Sequence, residues 1–211
     1  MTERKMDINA LCSFLANRLN NSRARLVGID GAGGSGKSTL GRLLVANWPG
    51  VTIIQMDDFY LPTSRRHSVP EPGQNFDRER LRSEVLDPIT EGGVARYQRY
   101  DWDRDELAEW HEVPAGGTVV VEGSYSTSKP LRDYYSTAIW VQAAYETRLR
   151  RGVERDGESM RDVWVKSWMP AEDRYLQAER PDLHADIVLD GGGVDDAESA
   201  FLVVRAPSGL Q

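Results

Sequence analysis

The apolar positions of this chain alternate between short unbroken runs and helical spacings. Five runs, Leu26–Asp30, Val51–Met56, Thr118–Glu122, Ala138–Val141 and Asp186–Leu189, are rich in Val and Ile and show no polar face. Continuous runs of that length suit strands of a parallel sheet covered on both sides. Between them, helices are expected at roughly Lys37–Asn47, Asp77–Thr90, Tyr145–Arg155 and Asp162–Ala178, with Asn47-Trp-Pro-Gly50 stopping the first. Within Met1–Asn20, Ile8, Leu11, Leu15 and Leu19 share one helical face, which predicts an amphipathic first helix. The pattern gives a three-layer α/β domain with a five-stranded, mostly parallel sheet, whose ligands lie at the carboxyl ends of the strands.

Residues 61–117 break this rhythm. Pro62, Pro72 and Pro114 and several glycines are set among dense charges and aromatics. Such a stretch is too long for a plain loop, so an insertion with its own helices is expected over the site. The tail after Gly191 is glycine-rich and acidic except for Phe201-Leu-Val-Val204, and it reads as peripheral with an optional edge strand.

Bulk properties narrow the function classes. A chain of 211 residues suits one domain, here 1–211, with 61–117 as an acceptor-side insertion and 145–178 as a lid region. The net charge of −7 argues against a general partner role for nucleic acid or a membrane surface. Any phosphate must be held by local cations. Only four basic residues are lysines: Lys5, Lys37, Lys129 and Lys166. The single cysteine, Cys12, cannot form an intrachain disulfide, and it is expected on the inner face of the first helix. With no targeting segment in the sequence, a cytoplasmic protein is the expectation.

Residues Gly31 to Ser38 read Gly-Ala-Gly-Gly-Ser-Gly-Lys-Ser, a complete G-x-x-x-x-G-K-[ST] phosphate loop. An apolar strand precedes it and a helix follows, which is the context the motif requires. Gly31, Ala32, Gly33, Gly34, Ser35, Gly36, Lys37, Ser38 and Thr39 are the expected ATP-binding residues. Glycines let the backbone wrap around phosphates, and the helix start adds its positive dipole end. Lys37 offers a cation to the outer phosphates and Ser38 a hydroxyl to Mg²⁺.

Three further constellations follow in order. The second strand ends Gln55-Met-Asp57-Asp58-Phe59-Tyr60. A kinase acting on an alcohol needs a carboxylate to take the hydroxyl proton, which typically contributes about 10²–10⁴-fold, and Asp57 is the candidate. Its alternative is a turn or helix-capping residue. The third strand ends Val121-Glu122-Gly123, and an acid there can hold Mg²⁺ opposite Ser38. In Arg148-Leu-Arg150-Arg151-Gly-Val-Glu-Arg155, three arginines, Arg148, Arg151 and Arg155, fall within about 60° of one another on a helix. Guanidiniums so close suit a lid that faces a transferring phosphate. His67 and His184 lack partners at metal spacing.

In this order, the phosphate loop, Asp57-Asp58-Phe59-Tyr60, Asn75-Phe-Asp77, Tyr100-Asp101, Val-Glu122-Gly123 and the arginine helix resemble uridine kinase-like P-loop kinases over about residues 24 to 190. That group includes uridine/cytidine kinases, nicotinamide riboside kinases, phosphoribulokinases and bacterial pantothenate kinases. The resemblance implies a P-loop NTPase fold with an Arg-rich lid, and transfer of the γ-phosphoryl of ATP, with Mg²⁺, to a hydroxyl of a small metabolite. By position, Lys37, Asp57, Arg148, Arg151 and Arg155 would be catalytic, and Ser38 and Glu122 would serve the metal. Asp57, Tyr60, Asp77, Tyr100 and Asp101 would face the acceptor.

Two departures bear on that acceptor. Arg78-Glu79 follows Asn75-Phe-Asp77 where uridine kinases typically have His-Pro, and Asp101 to Trp110 holds no histidine. In addition, the lid reads Arg151-Gly152 where the family repeats arginine. A nucleoside or riboside acceptor is therefore expected beside two alternatives: a sugar, pantothenate or other vitamin precursor, or a nucleotide-switch partner protein. No Asn-Lys-x-Asp guanine motif supports the last. Subunit state has no sequence signature.

Overall fold

The computed structural model describes residues 4–20, 22, 24–67, 71–193 and 201–210. The expected strands form as β1 (Leu26–Asp30), β2 (Val51–Gln55), β5 (Thr118–Glu122), β6 (Thr137–Gln142) and β7 (Ile187–Asp190). They run parallel in the order β2-β5-β1-β6-β7, and β8 (Leu202–Arg205) adds an antiparallel sixth strand beside β7. Strands β1 and β5 are buried at every position, as unbroken apolar runs in the middle of a covered sheet should be.

Helices fill both faces. On one side α1 (Ile8–Asn20) and α2 (Lys37–Asn47) bury Leu11, Leu15, Leu19, Leu40 and Leu44 against Val27, Ile29, Val120, Ile139 and Ile187. Cys12 packs in the same cluster. On the other side a helical run of α3 (Arg78–Leu81), a π turn (Arg82–Leu86) and α4 (Asp87–Thr90) covers Leu26, Ile54, Val119 and Val121. Beyond β6 come α5 (Tyr145–Asp156), the short α6 (Arg161–Val163), a π turn (Trp164–Trp168), α7 (Met169–Glu179) and α8 (Pro181–His184). No helix among the described residues is long and apolar enough to cross a membrane.

Two expectations are corrected. Besides its helical run, the insertion holds a hairpin of β3 (Ala95–Asp101) and β4 (Glu106–Val113), which the sequence did not announce. Nearly all of β4 is solvent-accessible, so its residues carry no clean apolar alternation. Nor is the tail peripheral, since Phe201 and Leu210 are buried in the α1/α2 core. Its acidic stretch 194–200 lies outside the described residues.

Candidate active site

The phosphate loop leaves the carboxyl end of β1 between β5 and β6 and enters α2 through Gly36, whose φ of 104° is left-handed. Gly34 is also left-handed, and a Cβ there would stand 2.6 Å from the Arg148 carbonyl oxygen. Lys37 folds back so that Nζ donates to the Ala32 carbonyl at 3.0 Å. Among the described residues the N–H groups of Gly34, Gly36, Lys37 and Ser38 make no hydrogen bond, and the buried Ser35 hydroxyl has no partner. That supply of unspent donors at a helix start fits a polyphosphate. Thr39, just beyond, accepts from Arg42 at 3.0 Å.

Three acids gather at this end of the sheet. Ser38 donates to Glu122 Oε1 at 3.2 Å across the loop, from an exposed position to a buried one. Burial pushes the Glu122 carboxyl up, Lys37 pulls it down, and Asp57 raises it again. Asp57 is the second residue of a 3₁₀ turn (Met56–Phe59) after β2 and is exposed at the surface, although protein crowds its carboxyl on most sides. That crowding raises its pKa, against Lys37 and then Arg155. A hydroxyl beside a buried carboxylate, with a second carboxylate near, is a donor set suited to Mg²⁺. Asp58 instead accepts from the Tyr97 hydroxyl at 3.2 Å, beneath the hairpin.

The three arginines divide. Arg148 is buried, with Nε on the Gly33 carbonyl at 3.2 Å and Nη2 on Glu172 at 2.8 Å. Arg151 donates to the carbonyls of Gly34 (3.1 Å) and Gly191 (2.9 Å). Arg155 is exposed, pairs with Asp156, lies over the Trp164 ring, and is the one whose charge acts on Asp57. The Gly152 departure has a steric cause, because a Cβ there would stand 2.4 Å from the Trp164 ring. Trp164 is fully buried, with its N–H on Asp156 at 2.9 Å.

On the acceptor side, Tyr60 stacks on Trp102 at 4.5 Å between ring centres and meets Tyr100 at 6.1 Å. Arg66 fills the space among them, its Cζ 4.7 Å from the Tyr60 ring and 5.8 Å from that of Trp102. Its Nη2 donates to the Tyr100 hydroxyl at 2.5 Å, and that hydroxyl donates to Asp105 at 2.6 Å. Burial and the bond to Asp105 push the Tyr100 pKa up to about 12. Asp77 caps α3, accepting from the Arg80 N–H at 3.1 Å, and pairs with Arg65. Asp101 accepts from the N–H groups of Asp103 and Arg104 and from Arg99, commitments that belong to the hairpin turn.

The sequence reading missed three groups. Asp30, wholly buried at the end of β1, accepts from the N–H groups of Gly31, Tyr125 and Thr127 and from the hydroxyls of Thr127 and Tyr175. An acid closing an apolar strand before a phosphate loop was the available signal, since such a group must find donors. Glu172 carried none, as it looks like any helical glutamate, and Arg66 sits in a segment without periodicity.

No protein-family model matches the chain. Among curated proteins, the uridine kinase of Alkaliphilus metalliredigens is 24% identical over 204 residues, 90% of this chain and 98% of the relative. The uridine kinase of Ligilactobacillus salivarius is 26% identical over 206 residues, 90% and 95%. Among solved structures, a possible uridine kinase from Bacillus stearothermophilus superposes with a TM-score of 0.64 at 22% identity, covering 86% of this chain and 96% of that one. These likenesses bear out the resemblance to uridine kinase-like P-loop kinases, the mostly parallel sheet flanked by helices, and the reading as a phosphotransferase with an alcohol acceptor.

Proposed function

We propose that this chain transfers the γ-phosphoryl of ATP to a hydroxyl of a nucleoside or related riboside. The observation that carries this reading is the convergence of three groups at the carboxyl ends of adjacent strands. These are Lys37 on the phosphate loop, the Ser38–Glu122 pair, and Asp57 just past the end of β2, whose carboxyl feels the charge of Lys37. Its supports are the relatives named as uridine kinases.

In this reading the loop amides and Lys37 hold the phosphates, and Arg155 approaches from the lid. Mg²⁺, held by Ser38 with Glu122 behind it, would neutralise charge between the outer phosphates. The acceptor oxygen attacks the γ-phosphorus, the bond to the β–γ bridging oxygen breaks, and ADP leaves. Asp57 takes the hydroxyl proton. Its raised pKa makes it a stronger base than an ordinary carboxylate. The protein's part is positioning and charge neutralisation more than covalent chemistry. The chain acts as one domain on a small acceptor, in the cytoplasm, without nucleic acid or membrane.

A second reading keeps the chemistry and changes the acceptor to a sugar, pantothenate or another vitamin precursor. Arg78-Glu79 and the absence of a histidine from Asp101 to Trp110 favour it, because both depart from the uridine kinase pattern. A coupled ADP-release assay with ATP and Mg²⁺ decides between them. The panel holds uridine, cytidine, nicotinamide riboside, pantothenate and several sugars. Turnover on a nucleoside or riboside is the expected result; turnover confined to pantothenate or sugars supports the second reading. Silence on all of them, with ATP bound, sinks both.

A further inference from the structure

Two arginines of the stripe, Arg148 and Arg151, bond carbonyls of the phosphate loop, and a buried acid completes what Arg148 does there. The peptide joining Ala32 to Gly33 is held at both ends. Its carbonyl accepts from Lys37 Nζ at 3.0 Å, and its N–H donates to Glu172 Oε1 at 2.7 Å. The next peptide is held by its carbonyl, which accepts from Arg148 Nε at 3.2 Å. Arg148 Nη2 then meets Glu172 Oε2 at 2.8 Å, closing a ring through both backbone groups of Gly33. Both side chains are buried. The contact is close-packed as well, since a Cβ on Gly33 would stand 3.1 Å from Glu172 Oε1.

A glycine-rich loop has little of its own to stop a peptide from rotating. When one rotates, its N–H turns from the inner face to the outer and a phosphate loses a donor. The Gly33–Gly34 peptide carries the unspent N–H of Gly34, so the ring at Gly33 sets where that donor points. We propose that Glu172 is a positioning residue for the phosphate loop. With Arg148 it fixes two successive peptides before any nucleotide arrives, so less ordering remains to be done on binding. Its burial near Lys37 is then explained: a carboxylate beside an anion site is unfavourable unless its hydrogen bonds build that site. The proposal rests on the nucleoside triphosphate reading of the loop and not on the acceptor.

The test is ATP binding by calorimetry on wild type and Glu172→Gln, with circular dichroism as the check on folding. Gln keeps an acceptor for the Gly33 N–H but presents an amide to Arg148 in place of a carboxylate. We expect the Kd for ATP to rise about tenfold, with KM for ATP following and KM for the acceptor within twofold. A folded variant with unchanged ATP affinity overturns the proposal, and so does an equal rise in both KM values, the mark of a general structural loss. Should the Gln variant fail to fold, Glu172→Asp, which keeps the charge and shortens the reach, is held to the same outcomes. Failure of both to fold makes Glu172 a folding determinant and overturns the positioning role. A wild type that binds ATP but phosphorylates nothing on the panel removes the kinase reading and leaves this one standing. A wild type that does not bind ATP removes both.

Discussion

The phosphate-loop side and the acceptor-side insertion handle acidic residues in opposite ways. Around the loop, Asp30, Asp57, Glu122 and Glu172 are crowded by protein, and loss of hydration is the first cause raising each carboxyl pKa. In the hairpin, Asp101, Asp105 and Glu109 are lowered. The Arg104 N–H acts first on Asp101 and the Tyr100 hydroxyl on Asp105, while Arg99 holds Glu109 down to about 2. On the loop side burial outweighs the partners these acids have, Arg148 for Glu172 and hydrogen-bond donors for Asp30, whereas in the hairpin the partners outweigh burial. This difference separates a loop side where burial governs the carboxyls from a hairpin where hydrogen bonds and arginines do.

Removing the central acid gives the largest effect expected. Asp57→Asn should lower kcat by about 10²–10⁴-fold while leaving ATP affinity nearly unchanged. Steady-state kinetics paired with calorimetry would measure this. A variant keeping more than about a hundredth of the activity shows that Asp57 is not the base.

On the other side a smaller and differently placed effect is expected. Arg66 ties the Leu61 carbonyl, Tyr100 and three aromatic faces together. Cation–π contacts of this kind are worth roughly 0.5–2 kcal/mol. Arg66→Ala should therefore raise KM for the acceptor several-fold and leave KM for ATP alone. A change in the ATP term instead would erase the division between the two sides.

The smallest effect concerns pH. Each raised carboxyl on the loop side binds its proton at higher pH in the folded chain than in the unfolded one. The ionised forms thus cost stability above the raised values, and the cost is gone below the ordinary carboxylate range. The lowered acids of the hairpin act the other way and in another window. Their contribution is complete above the ordinary range and is lost as pH falls through the depressed values. Nucleotide-free protein should gain Tm, by roughly 2–4 °C per kcal/mol for a chain of this size, as pH falls from 7 toward the ordinary carboxylate range. It should then lose Tm in stronger acid. Calorimetric melts across pH check this, and a Tm that only declines from pH 7 downward contradicts the contrast between the regions.

Much of this molecule was legible from residue order. The five parallel strands, α1, α2 and α5 follow from runs and periodicities shorter than twenty residues, where the local pattern decides which face is buried. The phosphate loop was legible for the same reason, its geometry being encoded within eight consecutive residues. The hairpin was not, because β4 packs too little for its pattern to show a buried face. Phe201 was misplaced because an apolar cluster at the end of a polar tail does not say where it docks.

Side-chain partnerships were decided by tertiary structure alone. Three arginines on one helical face were readable, but not that two would grip loop carbonyls while the third stayed near Asp57. Glu172 meets Gly33 across 139 positions of sequence, and Tyr175 meets Asp30 across 145. Helical and strand spacing fix which way a side chain leaves its own element. What it meets depends on how elements far apart in the chain are packed, and hydrogen bonds are short enough that only the assembled layers determine it.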